Sequence, residues 1–135
     1  MKKFKLVALV AIAIVMLSIG CKKEDTFSVV GFWKGTYDSA NGYAVVLNAN
    51  GTMKVFDGSD TTIASYAYGT YTVTGDSIKG SYTYVDEIVI TRLSAPVVPD
   101  YSIVAKINKT AKTMAGTYGG GYLTSGGGVF QLAKQ

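Results

Sequence analysis

A triplet of glycine, threonine or serine, and tyrosine recurs four times in this 135-residue chain. Because residues i and i+2 of a β-strand lie on one face, each triplet puts its glycine and tyrosine on one side and its hydroxyl on the other. This repeat constrains the chain to antiparallel β-structure with one buried face. The four copies are Gly35-Thr36-Tyr37, Gly69-Thr70-Tyr71, Gly80-Ser81-Tyr82 and Gly116-Thr117-Tyr118.

The spacing of turn residues favours a closed β-structure. Turn signals recur every ~8–12 residues, which is typical of sandwiches and barrels, and no long segment after Cys21 has a helical period. The sequence therefore predicts an all-β domain, an antiparallel up-and-down β-barrel of about eight strands. The predicted strands lie at about 29–38, 42–48, 52–57, 65–74, 77–85, 101–108, 112–118 and 128–134. Residues 86–99 are open to three interpretations: an extension of strand five, a ninth strand or a lid.

One predicted hairpin locks two triplets together. The Gly75-Asp76 pair suits a two-residue turn, which sets the register of the strands on either side. Each tyrosine then faces the glycine of the other triplet, and an aromatic ring can restore packing that a strand glycine forfeits. The predicted pairs are Thr74 with Ser77, Val73 with Ile78, Tyr71 with Gly80 and Gly69 with Tyr82.

A second hairpin has two possible loops. An Asn-Gly turn of two residues would place Leu47 opposite Lys54. A three-residue loop over 49–51, with Gly51 left-handed, instead places Leu47 opposite Met53 and Val45 opposite Val55. A slip of one residue turns every side chain to the other face, so the apolar pattern favours the three-residue loop.

The alternation assigns the aromatic side chains to two faces. Phe32, Phe56, Tyr66 and Tyr68 are predicted to face outward as an exposed aromatic patch. The interior of an eight-stranded barrel either fills with side chains or holds one small ligand, so inward rings are candidates for core or ligand-binding residues. These candidates are Trp33, Tyr37, Tyr43, Tyr71, Tyr82, Tyr84, Tyr101, Tyr118 and Phe130.

The N-terminus has the pattern of an export signal. A basic segment, residues 1–5, precedes an apolar run of 14 residues that ends before Gly20 and the one cysteine, Cys21. A membrane-spanning helix needs ~20 apolar residues. Residues 1–20 are therefore predicted to be a signal peptide, with an uncleaved anchor as the alternative. Its loss would lower the net charge from +4 to +1, because three of the 13 basic residues lie within it. No charge field then favours nucleic acid.

The segment Ser18-Ile19-Gly20-Cys21 resembles the signal of bacterial lipoproteins. The resemblance implies that Cys21 is acylated, for example with palmitate, and becomes the mature N-terminus. Residues 21–28 would then form a tether and residues 29–135 the barrel domain. Lys23-Glu24-Asp25 resembles the export signal of surface lipoproteins in Bacteroidetes-type bacteria. The implied location is the outer membrane, lipid-anchored, on its periplasmic face or at the cell surface.

The segment Gly31-Phe32-Trp33, followed by about eight strands, resembles the first strand of the lipocalin and avidin superfamily, the calycins. In those families the tryptophan closes one end of the barrel. An arginine near the C-terminus packs on it, and Lys134 is the nearest counterpart here. The resemblance implies a lipocalin-like barrel and supplies no ligand-binding residue.

The composition argues against an enzyme. The chain has no histidine, so it has no Ser–His or Cys–His nucleophile and no imidazole metal site. The carboxylates fall at predicted turns or strand ends, where carboxylates are ordinarily solvated. An alternative role exists for Asp57 and Asp60, whose oxygens could bind calcium. We therefore expect no catalytic residue, metal or cofactor.

Two functions remain for a membrane-anchored barrel. The first is binding of a small apolar or amphipathic ligand in the barrel. The alternative is a non-enzymatic interaction module with a filled barrel, which contacts a protein or a glycan through its surface. The sequence identifies no protein partner.

Overall fold

The fold is a closed antiparallel barrel of eight strands, as predicted. The structure is a computed structural model that describes residues 26–58, 66–84 and 98–135. Strands pair in chain order, and β1 pairs with β8 to close the barrel. The strands are β1 (Gly31–Tyr37), β2 (Asn41–Leu47), β3 (Thr52–Asp57), β4 (Ala67–Thr74), β5 (Ser77–Tyr84), β6 (Tyr101–Asn108), β7 (Thr113–Gly120) and β8 (Gly128–Lys134).

Both predicted hairpin registers are confirmed. Across β4 and β5, Tyr71 faces Gly80 and Gly69 faces Tyr82. Across β2 and β3, Leu47 faces Met53, and Gly51 has a φ of 79°, in the left-handed region expected for a three-residue loop. Turn chemistry and the apolar pattern were therefore sufficient to fix the register of both hairpins.

The glycines of the triplets do more than make room for an aromatic ring from the partner strand. A Cβ atom added at Gly35 would overlap the Gln131 carbonyl oxygen, and one at Gly69 would overlap the Ser81 carbonyl oxygen. At Gly80 the added atom would instead lie 3.3 Å from the Cβ of Tyr71 and 2.9 Å from the sulfur of Met53. Gly35 and Gly69 need glycine because the backbone of a neighbouring strand approaches too closely for a side chain, whereas at Gly80 the Met53 side chain would have to shift.

The barrel has two distinct ends. The closed end carries the β2–β3 and β4–β5 turns and the segment 26–30 that enters β1. The open end carries the β1–β2 turn, the β7–β8 loop and the ends of β3 and β5. The predicted lid or extra strand lies mostly in 85–97, outside the described residues.

The closed end is sealed by aromatic packing. Trp33 is fully buried, and its indole N–H donates a hydrogen bond to the Val29 carbonyl at 2.8 Å. Phe27, in the predicted tether, packs edge-on against Trp33 with ring centroids 6.4 Å apart. Lys134 is the register partner of Trp33, and its ammonium lies 5.5 Å from the centre of the Phe27 ring. The Lys134 ammonium thus lies over Phe27, the ring that packs against Trp33.

The interior is filled with side chains. The core that contains Trp33 is otherwise largely aliphatic in its lower part and includes Leu47, Met53, Ile78 and Leu132, each at most 3% exposed. Within the described ranges, every buried side-chain nitrogen and oxygen has a hydrogen-bond partner. The described residues contain no helix long and apolar enough to cross a membrane.

For two side chains, the exposed fraction in the structure differs from the one that their predicted face implies. Val73, predicted to point into the core, is 40% exposed because it lies one residue from the end of β4. Phe56, predicted to be part of an exposed patch, is only 5% exposed, and its ring packs 5.8 Å from that of Tyr66. Tyr68 remains exposed, but with Phe56 covered, the outer aromatics do not form the predicted patch.

Candidate functional site

Six inward tyrosines meet at the open end and form a continuous ring of aromatic contacts. Edge-on contacts at 5.8–6.4 Å join Tyr37 to Tyr43 and Tyr118, and Tyr118 to Tyr101. Tyr101 packs against Tyr82 at 5.6 Å, and the Tyr43 hydroxyl donates to the Tyr82 hydroxyl at 3.2 Å, which closes the circle. We call this group the tyrosine cluster: Tyr37, Tyr43, Tyr82, Tyr84, Tyr101 and Tyr118.

The strands place these tyrosines at one level. Tyr37 ends β1, Tyr84 ends β5 and Tyr101 begins β6, and in the closed barrel these positions lie at the same end. Beneath them Phe130 is 2% exposed and packs 5.8 Å from the Tyr43 ring. Phe130 therefore belongs to the hydrophobic core and packs against the cluster through Tyr43.

Two carboxylates hold the rim of the cluster. The Tyr84 hydroxyl donates to Asp57 at 2.8 Å, and the Tyr118 hydroxyl donates to Asp38 at 2.9 Å. Asp38 also accepts a hydrogen bond from the Val129 backbone N–H at 3.2 Å. Hydrogen bonds to carboxylates are stronger than those between neutral groups, so they fix the orientation of both rings.

The environment raises the pKa of four hydroxyls of the cluster and so favours their protonated form. Burial raises the pKa of Tyr82 to about 12 and raises the pKa of Tyr43 well above its ordinary value. Burial and the hydrogen bond to Asp57 raise the pKa of Tyr84 strongly. Burial and the hydrogen bond to Asp38 raise the pKa of Tyr118 to about 12. At neutral pH these are neutral hydroxyls, so the rim carboxylates supply the negative charge.

The cluster encloses a small cavity. Its volume is about 100 Å³, and it is lined by the six tyrosines and Asp57. Binding sites for drug-sized molecules measure ~300–1,000 Å³. The space therefore suits a single small chemical group, and the described lining contains no lysine or arginine.

Besides Phe130, several predicted site residues lie away from the cluster or outside the described residues. Trp33 lies at the closed end. Tyr71 also points that way, and its hydroxyl donates to the Asn48 carbonyl at 2.7 Å. Burial raises the pKa of Tyr71. Cys21 and Asp60, one of the two possible calcium ligands, lie outside the described residues. The described ranges contain no group of three acidic, histidine or cysteine residues that could hold a metal.

The roles of Asp38 and Asp57 were not predicted from the sequence, which indicated solvated turn carboxylates, with Asp57 as a possible calcium ligand. A usable signal existed for Asp57. Extending the predicted register from Leu47 and Met53 pairs Tyr43 with Asp57, as observed, and so turns this carboxylate inward. Asp38 gave no such signal, because its position depends on an unusual backbone φ of 47°.

Comparisons with protein-family models, curated proteins and solved structures found no match to this chain. A closed antiparallel barrel of eight strands in chain order fits the lipocalin-like fold in general. Function is therefore argued from the geometry of the barrel alone.

Proposed function

We propose that this chain is a cell-envelope lipoprotein, anchored in the outer membrane through Cys21, whose filled lipocalin-like barrel is a non-enzymatic interaction module. The observation that carries this proposal is the filled interior. Side chains from Trp33 at one end to Phe130 below the tyrosine cluster occupy the barrel axis and are almost completely buried. The barrel then acts through its outer surface and its open end.

The filled interior argues against the other expected function, a small apolar ligand held inside the barrel. The cavity at the open end measures about 100 Å³ and is bordered by polar hydroxyls. A wider groove of about 420 Å³ exists at the closed end, but segment 26–28 and three lysines line it, outside the hydrophobic core. Neither space is an apolar chamber for a lipid chain.

The path of the N-terminal segment supports a defined orientation on the membrane. Thr26 and Phe27 lie at the closed end beside Lys109, Lys112 and Lys134. Only four residues lie between Cys21 and Thr26, so the chain makes five residue steps of at most ~3.6 Å each and reaches no farther than about 18 Å. A basic surface near the bilayer gains ~1 kcal/mol per lysine from anionic lipids. The tyrosine cluster then faces away from the membrane.

Acylation of Cys21 is tested by mass spectrometry of the mature N-terminus from the native envelope. We expect residues 1–20 to be absent and Cys21 to carry acyl chains. The matched control is Cys21→Ser, which we expect to leave the chain unacylated and lost from the membrane fraction. A mature chain with an unmodified Cys21 thiol would refute the anchor.

The filled barrel is tested by native mass spectrometry and by titration with fatty acids and hydrophobic dyes. We expect no stoichiometric lipid and no saturable binding. Phe130→Ala is the positive control. Removing this buried phenyl ring opens an apolar cavity that can accept a small apolar molecule. Stoichiometric lipid bound to the unmodified chain would overturn the filled-barrel proposal and support ligand carriage.

A further inference from the structure

We propose that the tyrosine cluster is a binding site for a methylated ammonium group, such as that of choline or a phosphocholine headgroup. This inference rests on the proposed function in one respect: the open end is the part that faces away from the membrane. The site consists of six converging tyrosine rings, the Asp57 carboxylate and a cavity of about 100 Å³.

The aromatic part of the site matches the chemistry of an organic cation. The face of an aromatic ring carries negative potential and attracts a cation within ~6 Å of the ring centre. The Tyr118 ring meets the rings of Tyr37 and Tyr101 edge-on, with interplanar angles of 85° and 75°, so the planes of neighbouring rings around the cavity are nearly perpendicular. Quaternary ammonium groups are bound in aromatic cages of this kind.

The charged part of the site adds to this attraction. Asp57 lines the cavity, and its carboxylate accepts the Tyr84 hydroxyl at 2.8 Å. Asp38 accepts the Tyr118 hydroxyl, so both donated protons point toward the rim. Among the described lining residues no cation balances this charge. The exposed salt bridge between Lys106 and Asp76 lies at the closed end and does not reach it.

The size of the cavity selects the class of cation. Its volume lies below the ~300 Å³ of ordinary ligand pockets, which excludes a large ligand but leaves room for one headgroup. A methylated ammonium suits tyrosine rings better than a primary ammonium, because it loses fewer hydrogen bonds to water when it enters. Tyr43 and Tyr82, each 4% exposed, close the inner side of the cavity, so the rest of the ligand must extend outward.

The test is calorimetric titration of the full chain, held in a non-ionic maltoside detergent, with tetramethylammonium and choline. The decisive comparison is the neutral isostere of choline, in which a tert-butyl group replaces trimethylammonium. The isostere keeps shape and apolar area but loses the charge. We expect it to bind at least ~10-fold more weakly than choline. Equal affinity for choline and its neutral isostere would overturn the proposal. So would the absence of binding by both tetramethylammonium and choline.

Matched variants locate the charge that matters. Asp57→Asn keeps an acceptor for the Tyr84 hydroxyl and removes the charge, and we expect ~5–10-fold weaker choline binding. Asp76→Asn makes the same charge change at the closed end on an exposed side chain, and we expect unchanged affinity. An equal loss in both variants would reveal nonspecific attraction and overturn the site. Unfolding curves of each variant verify that the barrel is intact.

A parallel titration with glycerophosphocholine distinguishes the two sources of the cation. Binding of both choline and glycerophosphocholine supports the site and points to a lipid headgroup as its ligand. Binding of choline alone supports the site and restricts it to free cations. Failure of all cations leaves the acylation and lipid measurements above unaffected, so it can be distinguished from failure of the proposed function.

Discussion

The two ends of this barrel are built from the same eight strands and differ in nearly every property that matters for function. At the closed end one indole, Trp33, is completely buried, and the segment around Phe27 covers it. At the open end six tyrosines share a half-open cavity with a carboxylate. One end is therefore a hydrophobic seal, whereas the other combines side-chain packing with polar chemistry.

The difference originates in the number of polar groups that the aromatic side chains at each end carry, since each group needs a hydrogen-bond partner or solvent. An indole buried at the closed end needs one partner for its N–H, and the Val29 carbonyl provides it at 2.8 Å. Six phenols at the open end carry six hydroxyls, which need partners or solvent. Asp38, Asp57 and the Tyr43–Tyr82 pair satisfy four of these tyrosines. Stability is therefore concentrated at one end and surface chemistry at the other.

The largest predicted effect is loss of the closed-end seal. Trp33→Ala is expected to lower the free energy of unfolding by about 4 kcal/mol, because it removes a large ring from a fully buried site. Tyr118→Phe at the open end, which keeps its ring, should cost about 1 kcal/mol. Urea unfolding followed by circular dichroism measures both. Equal losses would remove the distinction between a sealing end and a polar end.

The next effect tests the narrow region between the two ends. Gly35→Ala is expected to destabilise the barrel by about 3 kcal/mol, since the new Cβ overlaps the Gln131 carbonyl oxygen. Gly120→Ala is the matched control, because nothing lies within 4 Å of the added atom. Its effect should remain within ~0.5 kcal/mol. If both substitutions were tolerated, the close approach of β1 to β8 would not be required for the fold.

An alkaline titration should destabilise the open end. The folded-state pKa of Tyr82 is raised to about 12, above the ordinary value of 10.0 for the unfolded chain. The unfolded chain therefore releases this proton first, and stability present below pH ~10 is lost as the pH rises toward ~12, by about 2–3 kcal/mol.

Urea unfolding at several alkaline pH values, with tyrosinate absorbance as a second signal, measures this loss. The control is Tyr82→Phe, which cannot ionise at this position and should reduce the dependence on pH. A variant with the same pH dependence as the unmodified chain would show that ionisation elsewhere drives alkaline unfolding.

The smallest effect concerns the buried hydroxyl pair. Tyr43→Phe or Tyr82→Phe alone should cost about 1–2 kcal/mol, because each leaves the other hydroxyl without its partner at 3.2 Å. The double variant should cost less than the sum of the two, because it leaves neither hydroxyl behind. A double-mutant cycle measured by urea unfolding gives the coupling. Strict additivity would mean that the two hydroxyls do not interact.

Much of the fold was predictable because its determinants are local. The Gly75-Asp76 turn and the apolar alternation were sufficient to pair Tyr71 with Gly80, and Leu47 with Met53. Exposure was less predictable, because it depends on what covers a side chain from elsewhere. Phe56 is buried although its position in the alternation predicted an exposed ring.

The candidate site was predictable only in part. The sequence assigned all six tyrosines of the cluster to the inward face, together with Trp33 and Tyr71. It could not separate these two, because the distribution of inward residues between the ends depends on strand order and closure. The contact of Asp38 was also not predictable from local sequence, because it accepts the hydrogen bond of Tyr118, which lies 80 positions away in the chain.

An all-β barrel of about eight strands, its hairpin registers and its inward rings follow from the residues in order, because period, turns and triplets act over a few residues. The division of those rings into an indole seal at one end and a tyrosine cluster at the other is visible only in the folded chain. Closure, through pairing of β1 with β8, brings distant strands to one level. Only there do ring faces, carboxylates and a cavity of about 100 Å³ meet.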